Sequence, residues 1–257
     1  MDLGINGLKV LVTAGASGIG LEMLRAFKRE GAQVHICDID RDVLDQVCKA
    51  EGVTGSICDV TDRVQVSALF DDVRKHLGTL DCLINNAGIA GPTGRIDEID
   101  PTDWDRCLAV CITGQFNCAR LAVPMLKASS NPSIVNLSSA AGKFGFPLRA
   151  PYAAAKWAVI GFTKTLSMEL GENGIRCNAI LPGPVDGDRI RRVIDAKARA
   201  GNISFEQMQE TMLANASIKD FIQPQQLADL AVFLASPRAK TISGQAHAVD
   251  GDMQSLA

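Results

Sequence analysis

The stretch that most limits how this chain can fold lies near its start. A β-rich run at 7–13 enters a glycine cluster, Ala14-Gly15-Ala16-Ser17-Gly18-Ile19-Gly20, and passes directly into an amphipathic segment at 21–30. Strand, glycine-rich turn and helix in that order make a phosphate cradle. Glycine lets the backbone approach a pyrophosphate, and the helix start supplies free N–H groups and a positive dipole end. A second strand, 33–38, ends on Asp38, 18 residues after Gly20. An acid there is placed to accept hydrogen bonds from adenosine ribose hydroxyls. Its plainer role is to cap the turn before Asp40.

The alternation continues down the chain. Residues 41–51 read as helix, 54–60 as a strand bearing a second acid, Asp59, near its end, and 62–77 as helix with Asp62 in its first turn. A strand at 80–88 ends on Asn85-Asn86-Ala87-Gly88. A long helix is expected over 103–126, then strands at 133–139 and 176–183, a helix at 225–235 and a last strand at 245–250. Strands alternating with helices imply right-handed crossovers and a parallel sheet covered on both faces. The expected fold is α/β: a single doubly wound domain over 1–257, with about seven parallel strands. A charged, helix-prone stretch at about 186–220 breaks the pattern as an insertion. In such a fold ligands bind at the C-terminal ends of the strands. Those ends carry residues 15–20, Asp38, Asp59, Asn86 to Gly88, Ser139, Pro182 and Gly183.

Tyr152, the only tyrosine, precedes Lys156 by four residues in a run that reads as helix from Pro151. Residues i and i+4 share a helix face, so phenol and ammonium are neighbours. A free tyrosine titrates near 10, too high for proton transfer at neutral pH, and a fixed cation beside it favours the phenolate. The pair suits a general acid/base, and the Ser139 hydroxyl could hold a substrate oxygen.

Composition narrows the partners. The net charge of −3 suggests no polyanion, so no nucleic acid is expected, and no apolar run reaches the ~18 residues that a membrane span needs. The first residues have neither a basic start nor an apolar core, so no signal peptide is expected. The eight cysteines form no Cys-x-x-Cys pair and mostly sit in apolar runs. They read as reduced core residues of a cytoplasmic protein, and no cluster calls for a metal.

Taken together, the chain resembles the short-chain dehydrogenase/reductase family over essentially its whole length. The resemblance rests on the residues 13–20, Asn85-Asn86-Ala87-Gly88, Ser139, Tyr152-x-x-x-Lys156 and Pro182-Gly183, in that order. It implies a Rossmann-type, tetrameric NAD(P)-dependent oxidoreductase. By that resemblance Tyr152 is the proton donor and acceptor, Lys156 binds the nicotinamide ribose and tunes Tyr152, and Ser139 holds the reacting oxygen. Gly15, Ser17, Gly18, Ile19 and Gly20 would cradle the phosphates. Asp59, Val60, Asn86, Ala87, Gly88, Pro182, Gly183 and Val185 would line the cofactor, and Asp38 would select NAD. Three positions depart from the family. Ala14 replaces a glycine, which a turn with negative φ tolerates. Cys111 replaces an asparagine of the proton relay, and a thiol is a weak hydrogen-bonding group. Gly187 replaces a threonine that grips the carboxamide.

The reading is an NAD-dependent dehydrogenase of a secondary alcohol/carbonyl pair on a small polar substrate. Arg149, three residues before Tyr152, would lie near an anionic group. Its alternative role is to pair with a surface acid. The basic residues Arg189, Arg191, Arg192, Lys197 and Arg199 of the insertion could add to that anion site, but they read better as a solvated face with Asp186, Asp188 and Asp195 as partners. The rival functions are an NADPH-dependent 3-oxoacyl-type ketoreductase and a catalytically weakened nucleotide-binding protein on the same fold.

Overall fold

The computed structural model describes residues 2–256. Seven strands form one parallel sheet: β1 (Lys9–Thr13), β2 (Gln33–Asp38), β3 (Thr54–Ile57), β4 (Cys82–Asn85), β5 (Ser133–Leu137), β6 (Arg176–Pro182) and β7 (Ala246–Val249). Their order is β3-β2-β1-β4-β5-β6-β7, so the direction of winding reverses between β1 and β4. That reversal opens a crevice beside the C-terminal ends of β1 and β4, where a doubly wound sheet binds ligands. β4, β5 and β6 are buried at every position, which is why they read as unbroken runs rather than alternating ones.

Helices cover both faces. On one, α1 (Gly18–Arg29) packs with a late helix, Pro224–Ala235, through Met23, Phe27, Leu227 and Val232 over Val10, Val12 and Ile36. On the other, Arg63–Leu77, Gly114–Leu126 and Ala150–Leu170 lay Phe70, Ala119 and Leu166 over Leu11, Leu83, Ile134 and Cys177. In chain order the remaining helices are α2 (Arg41–Glu51), α3 (Arg63–Leu77), α4 (Pro101–Leu108), α5 (Gly114–Leu126), α6 (Ala150–Leu170), α7 (Asp188–Gly201), α8 (Phe205–Ala214) and α9 (Pro224–Ala235). Aspartates start several of them. Asp40 caps α2, Asp100 caps α4, and Asp62 precedes α3, its carboxylate accepting from the N–H groups of Val64 and Gln65. Asp62 is thus the cap of its helix rather than part of the first turn.

The helix expected over 103–126 begins earlier, at Pro101, and is not continuous. Ala109–Thr113 is a π-helical turn that separates α4 from α5. The extra residue of such a turn re-aims side chains, and π-turns concentrate at functional sites. Here it carries Cys111. Within 101–126 an 18-residue window has a mean hydropathy of 1.2 and the length of a membrane span, but half of that window is buried within the protein.

The insertion folds as α7 and α8. Val193, Ile194, Ala198, Met208 and Met212 form a small apolar cluster of their own, which also gathers Ala90 and Phe146 from the loops after β4 and β5. The insertion is thereby set against the crevice.

Candidate active site

The glycine turn after β1 is held by close approach. A methyl on Gly15 would lie 2.6 Å from Ile36 Cγ2, and one on Gly20 would run into the Ala14 carbonyl and the Asn86 side chain. Ser17 caps α1 with extended backbone but makes no side-chain capping bond. Nothing lies within 4 Å of a Cβ built on Gly18, which lines the crevice with Ser17 and Ile19. This cradle suits a dinucleotide pyrophosphate: open space faces a helix start with an unused cap. The condition that would make Ala14 tolerable is not met here: its φ is +51. An L-residue in that region costs roughly 1–2 kcal/mol, strain that the surrounding turn must hold.

Asp38 closes β2 beside this turn. Its Oδ2 accepts from the Ala16 N–H at 3.2 Å and its Oδ1 from the Ile39 N–H at 2.8 Å, so it ties the strand end to the cradle. Thr13 Oγ1 accepts from the N–H groups of Asn86 and Ala87, each at 3.0 Å, and Asn86 Nδ2 donates to the Thr13 and Ala14 carbonyls. Asn86 and Ala87 therefore lock the end of β4 to the glycine turn. Asp59 accepts from Thr61 and pairs with Arg106 at 3.2 Å, a partner that sequence spacing did not reveal. The Val60 carbonyl accepts from Asn117 Nδ2, and the Val60 side chain meets Gly114 at the start of α5.

Ser139, Arg149, Tyr152 and Lys156 all line one cavity of about 360 Å³, together with Ser17, Gly18, Ile19, Asn86, Pro182, Gly183 and Val185. Ser139 sits just past β5, and its Oγ accepts from the Ala141 N–H at 3.1 Å. Tyr152 and Lys156 share a face of α6, with the ammonium 5.6 Å from the phenol ring centroid. Lys156 Nζ donates to the Leu137 carbonyl at 2.8 Å, which fixes the head of a side chain that is almost wholly buried. A hydroxyl, a phenol and an anchored ammonium around one cavity can hold a substrate oxygen and move a proton to or from it.

Three consecutive carbonyls after β4 are each held by a different side chain. Arg189 of α7 donates to Gly88 at 2.8 Å, Cys111 Sγ to Ile89 at 3.4 Å, and Arg149 Nη2 to Ala90. Cys111 Sγ also accepts from the Ile89 N–H at 3.4 Å. Its thiol is pulled down, chiefly by a hydrogen bond from Cys107 and also by the Lys156 ammonium, against the opposing effect of burial. Cys107 is pushed up by the same bond. All eight cysteines are free.

Arg149 is the residue whose place matters most. It caps α6, is 1% exposed, and follows Leu148, whose φ of +65 is strained for a branched side chain. Its guanidinium carbon lies 5.4 Å from the Tyr152 ring centroid and 5.5 Å from that of Phe146. Among the described residues no carboxylate pairs with it, and its Nε and Nη1 have no hydrogen-bond partner. The surface-acid role is thereby removed. The solvated-face reading of the insertion holds for Arg191, paired with Asp186 and Asp188, and for Arg199, paired with Asp195. It fails for Lys197, which is 3% exposed with its ammonium 4.4 Å from the Phe146 centroid. Gly187 lines the same cavity at φ +143 and ψ 177, a backbone region essentially closed to other residues. The threonine found there in the family would not fit this backbone.

Fold and site together define a nicotinamide-dependent oxidoreductase acting on CH–OH groups. The family described as Enoyl-(Acyl carrier protein) reductase matches residues 13–254. The chain is 35% identical to the 3-oxoacyl-[acyl-carrier-protein] reductase FabG of Thermotoga maritima, over 97% of this chain and 98% of that one. It is 32% identical to 2-(S)-hydroxypropyl-CoM dehydrogenase 3 of Xanthobacter autotrophicus, over 96% of each. A solved actinorhodin polyketide ketoreductase with NADPH superposes with a TM-score of 0.90 at 32% identity, covering 95% of this chain and 96% of the other. The chain belongs to the short-chain dehydrogenase/reductase family.

Proposed function

We propose that the protein is an NAD-preferring dehydrogenase of a small, polar, anionic alcohol/carbonyl pair. The observation that carries this reading is one cavity that joins Ser139, Tyr152 and Lys156 to the phosphate cradle at Ser17 and Gly18. When bound, the nicotinamide supplies or accepts the hydride. In the oxidation direction Tyr152 takes the hydroxyl proton, and Ser139 donates to the substrate oxygen as charge develops on it. Lys156, anchored on the Leu137 carbonyl, presents its ammonium beside the phenol and would hold the nicotinamide ribose. Cys111 stands where the family relay has an amide, and it holds the Ile89 backbone. Asp38 supports NAD, because its carboxylate at the end of β2 would repel a 2′-phosphate. Arg149 supports an anionic substrate, since it is buried in the cavity wall with donors to spare.

A second reading is an NADPH-dependent ketoreductase, as the polyketide enzyme above is. Such an enzyme needs a basic group at the end of the second strand to meet the extra phosphate. Here that end reads Asp38-Ile39-Asp40, with Arg41 the first basic residue after it. Initial rates with NAD and NADP against a panel of polyols, hydroxy acids and sugar acids test both. Turnover with NAD and an acid substrate is the expected result. Turnover confined to NADPH and acyl thioesters would overturn it.

A further inference from the structure

We infer that Gln115 is a positioning residue for the Tyr152–Lys156 pair: its side-chain amide helps to fix the Lys156 ammonium at the end of β5 and supplies, four residues on, the amide that is missing at Cys111. The inference rests on the proposed oxidoreductase reading and deepens it.

The arrangement follows from where two strands stop. β4 ends at Asn85, which pairs with Asn136, while β5 runs on to Leu137. The N–H groups of Asn86 and Ala87, next along the chain, go instead to Thr13 Oγ1. The Leu137 carbonyl therefore meets no backbone donor from that side, and two side chains take it. Lys156 Nζ donates to it at 2.8 Å and Gln115 Nε2 at 3.1 Å. A carbonyl oxygen has two lone pairs, so it accepts both bonds at once. They hold that oxygen from two sides and set the ammonium 5.6 Å from the Tyr152 ring centroid. Gln115 reaches the cavity only through Lys156, which lines it.

The amide is a costly choice for its place. Gln115 is 1% exposed, and its Oε1 has no donor among the described residues. The same is true of Oδ1 of Asn85, whose Nδ2 lies 3.4 Å from the Gln115 backbone carbonyl. A buried acceptor without a partner lowers stability. An apolar side chain would fill this position without that cost, as Ala119 and Ala122 do further along α5. The thiol four residues earlier cannot take over. A Cβ built on Gly88 would lie 3.5 Å from Lys156 Nζ and 3.7 Å from Cys111 Sγ, so ammonium and thiol are close neighbours. Yet Cys111 is engaged by Ile89 both as acceptor and as donor. Of these two neighbours of the ammonium, only the Gln115 amide has strong bonding capacity left. With the amide in place the ammonium keeps a fixed position beside the phenol, where its charge favours the phenolate. Loss of the amide leaves the Leu137 carbonyl held from one side, and that position loosens.

Tyr152 is the only tyrosine, so tyrosinate absorbance of the full-length protein follows its ionisation directly and without turnover. In Gln115→Leu, which keeps the volume and removes the amide, the phenol should ionise at higher pH than in wild type, by about half a pH unit or more. The Tm should equal or exceed that of wild type, because an unpartnered buried acceptor has gone. With the best alcohol of the NAD panel, kcat should fall by about tenfold, less than for loss of the acid/base itself. KM for NAD should move by less than about twofold. The double variant Cys111→Asn/Gln115→Leu should recover most of the kcat and the phenol titration, since it returns an amide to the ammonium. A lower Tm with an unchanged phenol titration and no recovery in the double variant would mark Gln115 as structural and overturn the inference. Should Gln115→Leu fail to fold, Gln115→Met takes its place, and an unchanged titration there overturns the inference as well. If the titration shifts as expected but no CH–OH compound turns over, Gln115 keeps its role and the reaction reading falls. If NAD-dependent turnover is found and Gln115→Leu changes neither kcat nor the titration, the inference falls while the dehydrogenase reading stands.

Discussion

Cys111 grips Ile89 twice: its Sγ accepts from the Ile89 N–H and donates to the Ile89 carbonyl, both at 3.4 Å. The π-turn at 109–113 turns the thiol toward that backbone, at the position where the family relay has an asparagine. An amide offers a better donor and a better acceptor in comparable space. Cys111→Asn should therefore keep kcat or raise it. A hydrogen bond from Cys107 and the Lys156 ammonium pull the thiol down against burial, yet it is wholly buried and keeps its bond to the Ile89 carbonyl, and reactivity needs access as well as thiolate. A thiol reagent should inactivate the enzyme slowly. Rapid inactivation that the substitution blocks would show a reactive Cys111 instead.

Asp38 should decide cofactor choice. Its Oδ2 is already turned to the Ala16 N–H at 3.2 Å, so the carboxylate faces the cradle rather than solvent alone. NAD should be preferred over NADP by about tenfold or more, equivalent to about 1.4 kcal/mol. Asp38→Ala should narrow the gap. Equal kcat/KM for both cofactors in wild type, or a preference that survives the substitution, would remove Asp38 from this role.

Tyr152 and Lys156 can be separated by what each loss changes. Tyr152→Phe deletes one oxygen and leaves the ring that packs beside Arg149 and Lys156. Turnover should fall by about 10²-fold or more with NADH affinity nearly intact, as for loss of a general acid/base. Lys156→Ala also removes the bond to the Leu137 carbonyl, so both turnover and NADH affinity should drop and the pH optimum should move up. Substantial turnover by Tyr152→Phe at high pH would assign the proton to another group.

The sheet was legible because each of its buried strands is an apolar run bounded by turns, and a parallel sheet needs helices between them. The helix over 101–126 shows where legibility ended. Its apolar pattern runs unbroken through 109–113, and nothing in residue type marks an extra residue per turn. The insertion shows the same limit for charge. Lys197 and Arg199 are two residues apart in α7, yet the first is buried against Phe146 and the second pairs with Asp195 on the surface. Spacing located Arg149 near Tyr152, but its unpaired state depends on what the loops after β4 and β5 bring to it. The φ of +51 at Ala14 is not legible in the sequence either, because a turn's backbone follows its tertiary setting and not its residue alone.

His35 should make stability depend on pH. It is buried under α3, with Nδ1 bonded to Thr54 Oγ1 at 2.7 Å and Nε2 to Ser56 Oγ at 3.0 Å, while Ser56 donates to Asp72. Burial lowers it to about 4, aided by His76 stacked at 5.6 Å and opposed by Asp72. A folded value below the unfolded one means that the neutral ring favours the fold above pH ~6.5. That contribution, at most about 3 kcal/mol, declines as pH falls from 6.5 to 4 and is gone below. Urea midpoints across that range should drop in wild type and drop less in His35→Asn. Equal pH slopes in the two proteins would exclude His35 as the source.

We propose, from the family resemblance, that the protein assembles as a tetramer in which α5 and α6 pair with those of a second copy. Trp157 and Met168 lie three turns apart on one face of α6, 53% and 83% exposed, and Phe116 of α5 is 42% exposed. Between them nothing lies within 4 Å of a Cβ built on Gly161, so a second helix could approach closely there. Large exposed apolar side chains gathered on adjoining helices mark an interaction surface more often than isolated ones do. Trp157→Glu places a charge in the middle of that face and should lower the assembly state, with a loss of Tm that grows on dilution. Light scattering at micromolar concentration should give a mass near four times 27.3 kDa for wild type and less for the variant. A wild-type mass of one chain would refute the assembly. A tetramer undisturbed by Trp157→Glu would move the interface off α6.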